Sequence, residues 1–270
     1  MLDFSRISFI CHVRVDTYLR EKNIRTIYDY YNKHTNGECE FIFVEDDKSP
    51  LLSKILPPPS NNITIDFIKN DCEVHKSFCY NRGAKLATRE IFVFLDVDVI
   101  LDTRLLFETI SEAIERGSLE CLIGYNGIAI YCNTSAEQEF LKSLDIEDLY
   151  SKINDLPLKT MAQNQFATVG NTQAVGGCLC MTRESFKKIN GFNPLFKGWG
   201  YEDNEIISRA NKLGLQVCKS SIANNYLFHL QHETVSIDKS KHKFYKNNGD
   251  IVNNVECMSR EELEQYIKKW

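Results

Sequence analysis

An α/β fold with a mixed, mainly parallel sheet flanked by helices is predicted from three observations. Over the first hundred residues, short apolar stretches alternate with longer segments whose apolar residues recur at helical spacing. The short stretches are nearly continuous in apolar residues, as strands covered on both faces should be. Three consecutive prolines, Pro57, Pro58 and Pro59, fall between two of these segments rather than inside one. A chain of 270 residues suits one large α/β domain or two closely packed halves.

Taken in order, Ile7–Val13 reads as the first strand. Thr17–His34 places Leu19, Ile24, Ile27, Tyr28 and Tyr31 on one helical face. Glu40–Val44 is a second strand, running into the acidic Glu45, Asp46 and Asp47. Pro57, Pro58 and Pro59 make Leu56–Asn62 a loop. Ile63–Phe67 is a strand, Lys76–Thr88 a helix and Ile91–Leu95 an uninterrupted apolar strand. Further on, Leu105–Arg116 and Ala136–Ile153 are expected as helices with a strand, Cys121–Cys132, between them. Asn154–Asn171 is expected as a long loop, Ala174–Met181 as a strand and Arg183–Asn190 as a helix. Glu202–Leu213 is a helix stopped by Gly214, and Gln216–Ser220 and Ala223–His229 are closing strands. The pattern predicts one domain over residues 1–235 in two closely packed halves, 1–100 and 101–235. Residues 236–270 follow as a Lys-rich loop and helical tail.

Bulk properties exclude several classes. A formal net charge of -5 argues against a general nucleic-acid binder. No segment approaches the roughly 18–20 apolar residues that span a bilayer, and the first ten residues do not read as a signal peptide. The ten cysteines are scattered without a Cys-x-x-Cys pair, so they are expected as reduced, mostly buried thiols. These features predict a cytoplasmic protein with at most peripheral membrane contact, for which Lys239, Lys241, Lys243 and Lys246 are the candidates.

Three features carry chemistry. Phe92–Val99 reads FVFLDVDV, placing Asp96 and Asp98 at the carboxyl end of a buried strand, where open α/β sheets bind ligands. If the strand persists, its period of two points both carboxylates the same way. Convergent carboxylates can hold a divalent cation that leaves positions open for phosphates. Gly198–Glu205 reads GWGYEDNE: the indole of Trp199, on a flexible glycine backbone, suits a sugar ring. The acids that open the next helix either cap it or supply a general base. His229 and His232, at the end of a strand-like run, can complete a metal shell begun by Asp98.

In order, these residues resemble a known family. Asn81-Arg82-Gly83-Ala84-Lys85, Asp96-Val97-Asp98, Gly176-Gly177, Ile189-Asn190-Gly191-Phe192 and Gly198-Trp199-Gly200-Tyr201-Glu202-Asp203 look like the inverting GT-A glycosyltransferases. The likeness is to the β-1,4-galactosyltransferase C-terminal module and to bacterial chondroitin- and capsule-type enzymes, over roughly Ile7 to His232. The resemblance implies a GT-A (Rossmann-like) sheet, a UDP-sugar donor, Mn2+ or Mg2+, and a glycan or lipid-linked glycan acceptor. It also implies a nucleotide-binding half at 1–100, an acceptor-binding half at 101–235, and transfer of a hexose or N-acetylhexosamine with inversion, in bacterial surface polysaccharide synthesis.

Carried over residue by residue, the resemblance makes Asp203 the catalytic base, with Trp199, Tyr201 and Glu202 shaping the acceptor site. Tyr201 stands where the family usually has glycine. Asp98 binds the metal with His229 or His232, the latter slightly favoured on spacing. Arg14, Asp16, Asp46, Arg82, Lys85, Asp96 and Gly177 fall to the donor. Two other classes compete: a sugar nucleotidyltransferase, against which the glycine-free His12–Asp16 stands, and a non-catalytic sugar-binding module, which need not keep Asp98 and Asp203.

Overall fold

The computed structural model describes residues 3–153, 156–158, 162–171, 173–233 and 242–270. In chain order the elements are β1 (Ile7–Val13), α1 (Tyr18–His34), β2 (Glu40–Asp47), β3 (Ile63–Lys69), α2 (Lys76–Leu86), β4 (Ile91–Leu95) and β5 (Val99–Leu101). Then come α3 (Thr103–Glu115), β6 (Cys121–Ile123), β7 (Ala129–Cys132), α4 (Thr134–Ser143), α5 (Ile146–Ser151), β8 (Ala167–Asn171), β9 (Cys178–Thr182) and α6 (Arg183–Lys188). The chain continues through α7 (Glu202–Lys212), β10 (Val217–Lys219), β11 (Leu227–His229), α8 (Tyr245–Cys257) and α9 (Arg260–Tyr266).

The main sheet has seven strands in the order β10-β6-β9-β4-β1-β2-β3. Strands β4, β1, β2 and β3 run parallel, and β9 runs antiparallel to both β4 and β6. Phe9, Phe41, Phe43, Phe92 and Phe94 are fully buried on it, with the Phe9 and Phe41 rings stacked at 5.3 Å. Burial of such a ring stabilises by roughly 1.5–3 kcal/mol, enough to fix the parallel register. Gly83 lets α2 lie close on the sheet: a Cβ there would sit 2.5 Å from Ile10 Cγ2.

A second sheet, β5-β11-β7-β8, is made of short strands and is absent from the sequence reading. Helix α1 fastens it to the first. Thr17 caps α1 by accepting the Arg20 amide, and the helix carries the buried Tyr30 and Tyr31 on its inner face. Tyr30 donates its hydroxyl to the Leu101 carbonyl at 2.9 Å, and the Leu101 amide donates to Tyr31 Oη at 3.0 Å. Strand β5, and with it the turn just before, is therefore held by two buried phenols.

Strand β4 ends at Leu95 as expected, and Asp96–Asp98 forms a turn rather than a continuing strand. Other boundaries differ from expectation for local reasons. The expected helix Ala136–Ile153 is two helices, broken where Leu144 turns left-handed at φ 51° and Asp145 caps the next. The expected strand Cys121–Cys132 divides into β6 and β7, one in each sheet. The expected strand Ala174–Met181 begins only at Cys178, because Gly177 turns the chain at φ 88°. Part of the stretch expected as the loop Asn154–Asn171 is strand β8. At the other end α8 packs along α7, joining residues 245–257 to the second half of the chain. Lys239 and Lys241 lie outside the described residues, while Lys243 pairs with Glu73 at 3.3 Å and Lys246 is exposed.

Candidate active site

The site forms where β1, β2 and β4 end and where α2 and α7 begin. Because Asp96–Asp98 is a turn, the two carboxylates part company, contrary to the expectation that they share one face. The Asp96 amide donates to the Gly177 carbonyl at 3.0 Å, and the Leu230 amide donates to the Asp98 carbonyl at 2.8 Å. The turn is thus tied to the glycine segment on one side and to the end of β11 on the other.

Asp96 points to the start of α2. Its carboxylate lies 2.9 Å from Lys76 Nζ and accepts the Tyr80 hydroxyl at 2.8 Å. Lys76 also lies 3.1 Å from Glu202 Oε1 and 3.7 Å from Asp203 Oδ2, so one buried ammonium joins three carboxylates from two ends of the chain. Burial opposes its charge, yet Asp203, Asp96 and Glu202 hold it protonated well above the ordinary lysine range. Burial, reinforced by Glu202 and Asp96 and opposed by Lys76, pushes the Asp203 carboxyl up to about 7. Gly176 leaves room for that carboxylate: a Cβ at this position would collide with it. Tyr125 closes the same wall, donating its hydroxyl to the Gly176 carbonyl at 2.8 Å.

Asp98 points the other way, to His229, His232 and Arg20. Its oxygens lie 3.8 Å from His229 Nε2 and 3.3 Å from His232 Nε2, and Arg20 pairs with it directly. The sequence left the choice of histidine open; the structure brings both to Asp98. Burial disfavours its charge, but His229, Arg20 and His232 lower the Asp98 carboxyl to about 2. His229 donates Nδ1–H to the Leu230 carbonyl at 2.9 Å, and His232 donates Nδ1–H to the Glu233 carbonyl at 3.1 Å. A carbonyl cannot donate, so each ring carries its proton on Nδ1, and a neutral ring turns the Nε2 lone pair toward Asp98. Burial lowers the His232 pKa, which favours that neutral form. With both rings neutral, two Nε2 lone pairs face the carboxylate, an arrangement that a divalent cation between them would satisfy. These ligand atoms lie within 4.8 Å of one another, a spacing that a divalent ion with bonds of roughly 2.1 Å can close. One carboxylate with two imidazoles suits Mn2+ better than Mg2+, which prefers oxygen alone.

A third group sits at the ends of β1 and β2. Asp46 is buried, accepts the His75 amide at 2.9 Å, and lies 3.7 Å from His12 Nε2 and 3.5 Å from Arg14 Nη2. Burial raises its pKa, but His12, the His75 amide and Asn70 outweigh that and lower it to about 2. His12 Nε2, Arg14 Nη2 and Asp46 Oδ1 are buried without a hydrogen-bond partner, so polar atoms line this end of the cleft.

The remaining sequence candidates are distributed unevenly. Asp16 is exposed beside Arg20, 4.0 Å away. Gly177 adopts φ 88° and packs against Leu227, where a Cβ would lie 2.7 Å from Leu227 Cδ1. The structure brings neither Arg82 nor Lys85 to the Lys76 cluster or to the Asp98 set. Arg82 pairs with Asp66 at 2.7 Å on the outer side of α2, and Lys85 is exposed in its last turn. Trp199 is 50% exposed and stacks on Tyr245 at 5.9 Å and 15°. Tyr201, in the left-handed region at φ 73°, packs its ring on Tyr245 at 4.8 Å. Sequence reasoning missed Lys76, Tyr80, Arg20 and His12. A lysine at a helix start carries no pattern of its own; only the folded contact with three acids marks Lys76.

A mainly parallel sheet with one reversed strand and flanking helices is an architecture of the GT-A type, and after its central strand it carries a carboxylate–histidine set and a partly buried acid that follows a Gly-Trp-Gly turn. The likeness narrows to galactosyltransferases: residues 157–233 match the family described as the N-terminal domain of galactosyltransferase. Over 45 residues the chain is 47% identical to beta-1,4-galactosyltransferase 7 of Drosophila melanogaster, a match covering 17% of this chain and 14% of that protein. Among solved structures, the catalytic domain of Drosophila beta-1,4-galactosyltransferase 7 in complex with xylobiose superposes with a TM-score of 0.52 at 15% identity, over 94% of this chain and 82% of the other. Glucosyl-3-phosphoglycerate synthase from Mycobacterium tuberculosis, in complex with Mn2+, UDP-glucose and phosphoglyceric acid, superposes at 0.54 and 13% identity, over 92% and 79%. At these identities the superpositions establish a shared fold. Among the described residues, no helix is long and apolar enough to cross a membrane.

Proposed function

We propose that this chain is a metal-dependent, inverting glycosyltransferase that moves a hexose or N-acetylhexosamine from a UDP-sugar to a glycan hydroxyl. The observation that carries the reading is the division of labour around one turn. Asp98 meets two histidines in a set fit for a cation, while its neighbour Asp96 is joined through Lys76 to the partly buried acid Asp203. The galactosyltransferase match over residues 157–233 covers Gly176, Gly177, Trp199, Asp203 and both histidines.

In this reading Asp203 accepts the proton of the acceptor hydroxyl as that oxygen bonds to the anomeric carbon. The bond from the anomeric carbon to the diphosphate breaks, and UDP leaves from the opposite face, which inverts the configuration. A carboxyl raised to about 7 suits a general base near neutral pH. Asp98, His229 and His232 would hold Mn2+, which supplies charge neutralisation for the departing diphosphate. Arg14, Asp46 and His12 line the end of the cleft assigned to the nucleotide base, and Asp16 flanks it. Trp199 offers its exposed ring to the acceptor sugar, with Tyr201 and Glu202 beside it. The acceptor is a glycan, free or lipid-linked, and the setting is cytoplasmic surface-polysaccharide synthesis of the bacterial type; free thiols suit a reducing compartment.

The test is a donor screen with UDP-, GDP- and CMP-sugars, with and without Mn2+, followed by two variants. Asp203→Asn is expected to lower transfer by at least about a thousandfold while leaving Mn2+-dependent UDP-sugar binding nearly intact. Asp98→Ala should remove the Mn2+ dependence of donor binding itself. Near-normal turnover by Asp203→Asn would refute the base assignment.

A further inference from the structure

Helix α8 lies beyond every residue assigned so far, yet it reaches the turn on which the acceptor site is built. Asn248 on this helix is fully buried, and its side-chain amide donates to the carbonyls of Lys197 at 2.9 Å, Gly200 at 3.1 Å and Trp199 at 3.4 Å. Its own Oδ1 is buried without a partner, so the side chain serves the turn as a donor alone. The carbonyls converge because Gly198, Gly200 and Tyr201 all adopt positive φ, at 64°, 102° and 73°. Three carbonyl oxygens aimed at one buried point repel one another and lack donors unless something like an amide nitrogen stands between them. Aromatic contacts on the same helix reinforce the hold. Tyr245 packs under both Trp199 and Tyr201, Phe244 lies 3.4 Å from where a Gly198 Cβ would be, and Gly249 leaves space for the Tyr201 ring. Helix α7 begins at Glu202 with no side-chain cap at Tyr201, so the shape of the turn sets the direction of Glu202 and Asp203.

We propose that Asn248, supported by Tyr245, is a positioning residue for the acceptor half of the site. It fixes the Gly198–Tyr201 turn so that Trp199 and Asp203 face one acceptor together. The inference rests on the proposed roles of Trp199 and Asp203, and it assigns α8 a function rather than leaving it a tail. Any variant that opens the turn should weaken acceptor use and expose Trp199, without touching the nucleotide end formed by His12, Arg14 and Asp46.

The experiment uses the full chain carrying Trp270→Phe, which leaves Trp199 as the single tryptophan of the two in the sequence. Asn248→Asp keeps size but sets an anion against three carbonyls, and Tyr245→Leu removes the stacked ring at a partly exposed position where folding is less at risk. Readouts are acrylamide quenching of Trp199, calorimetric binding of UDP-galactose with Mn2+, and KM for p-nitrophenyl β-glycosides as acceptors. Both variants are expected to raise the acceptor KM about tenfold or more and to increase quenching, with donor affinity within about twofold of the parent. Unchanged quenching and acceptor KM in Tyr245→Leu would overturn the proposal, as would a parallel loss of donor affinity, which marks a general fold defect. A parent protein that transfers no sugar to any acceptor instead defeats the glycosyltransferase reading, and quenching alone then still decides whether α8 holds the turn.

Discussion

Lys76 stands against three acids in a largely buried space, so at most one of their charges is directly balanced. Removing one partner from such a cluster costs more than a surface pair would, because the charges left behind have little water to screen them. The effect on Asp203 has a definite sign. The base works when ionised, so activity should rise with pH through about 7 in the parent enzyme. Lys76 favours the ionised form; Lys76→Met should therefore raise the Asp203 pKa further and move the rising limb to higher pH. At pH 7 the rate is expected to fall roughly tenfold or more, one pKa unit being a factor of ten in the ionised fraction. A pH profile of kcat/KM measures this directly. A limb that stays in place or moves to lower pH would show that Lys76 is not the electrostatic partner of the base.

At the scale of elements, two motifs read from the sequence prove to be halves of one brace. Asn81 donates its amide to the Phe192 carbonyl at 2.7 Å and accepts the Phe192 amide at 2.8 Å. Gly191, at φ 69°, brings the backbone so close that a Cβ would lie 2.5 Å from Asn81 Oδ1. Asn81→Ala leaves two part-buried backbone groups unpaired, which costs about 1–3 kcal/mol for each. Thermal unfolding should therefore shift down by several degrees while kcat stays within about threefold, since neither group faces the cleft. A large kcat loss at unchanged stability would place Asn81 in the chemistry instead. The example shows what a sequence conceals. Asn81-Arg82-Gly83 and Asn190-Gly191-Phe192 were legible as motifs, but not as each other's partners, and the resemblance alone assigns Arg82 and Lys85 to the donor. The long strands and α1, α2 and α7 were legible because full apolar periods mark them. Strand β11 lies within the expected strand Ala223–His229, but β5, with three residues, is too short to show a period, so the second sheet that pairs them and the opposite aim of Asp96 and Asp98 were not legible.

For the whole molecule, the Asp98 set ties distant parts of the chain together. Asp98 leads into β5, pinned by the α1 tyrosines, while His229 ends β11 and His232 follows it. A cation bound there crosslinks the turn after β4 to the end of β11, and it binds the folded chain alone, since the unfolded chain does not assemble the three ligands. Stabilisation by such a ligand reaches about 2.7 kcal/mol at a hundred times its Kd. For a chain of this size that corresponds to roughly 5–10 °C in Tm. Mn2+ added at neutral pH should thus raise Tm, and chelation should reverse the change. The gain should fade as pH falls into the acid range, because protonated imidazoles cannot ligate and both histidines must be neutral to bind. Asp98→Ala and His232→Ala should each abolish most of the shift without UDP-sugar present, separating metal binding from turnover. A Tm indifferent to millimolar Mn2+, or a shift that survives in Asp98→Ala, would mean that the carboxylate and the two imidazoles do not form the metal centre.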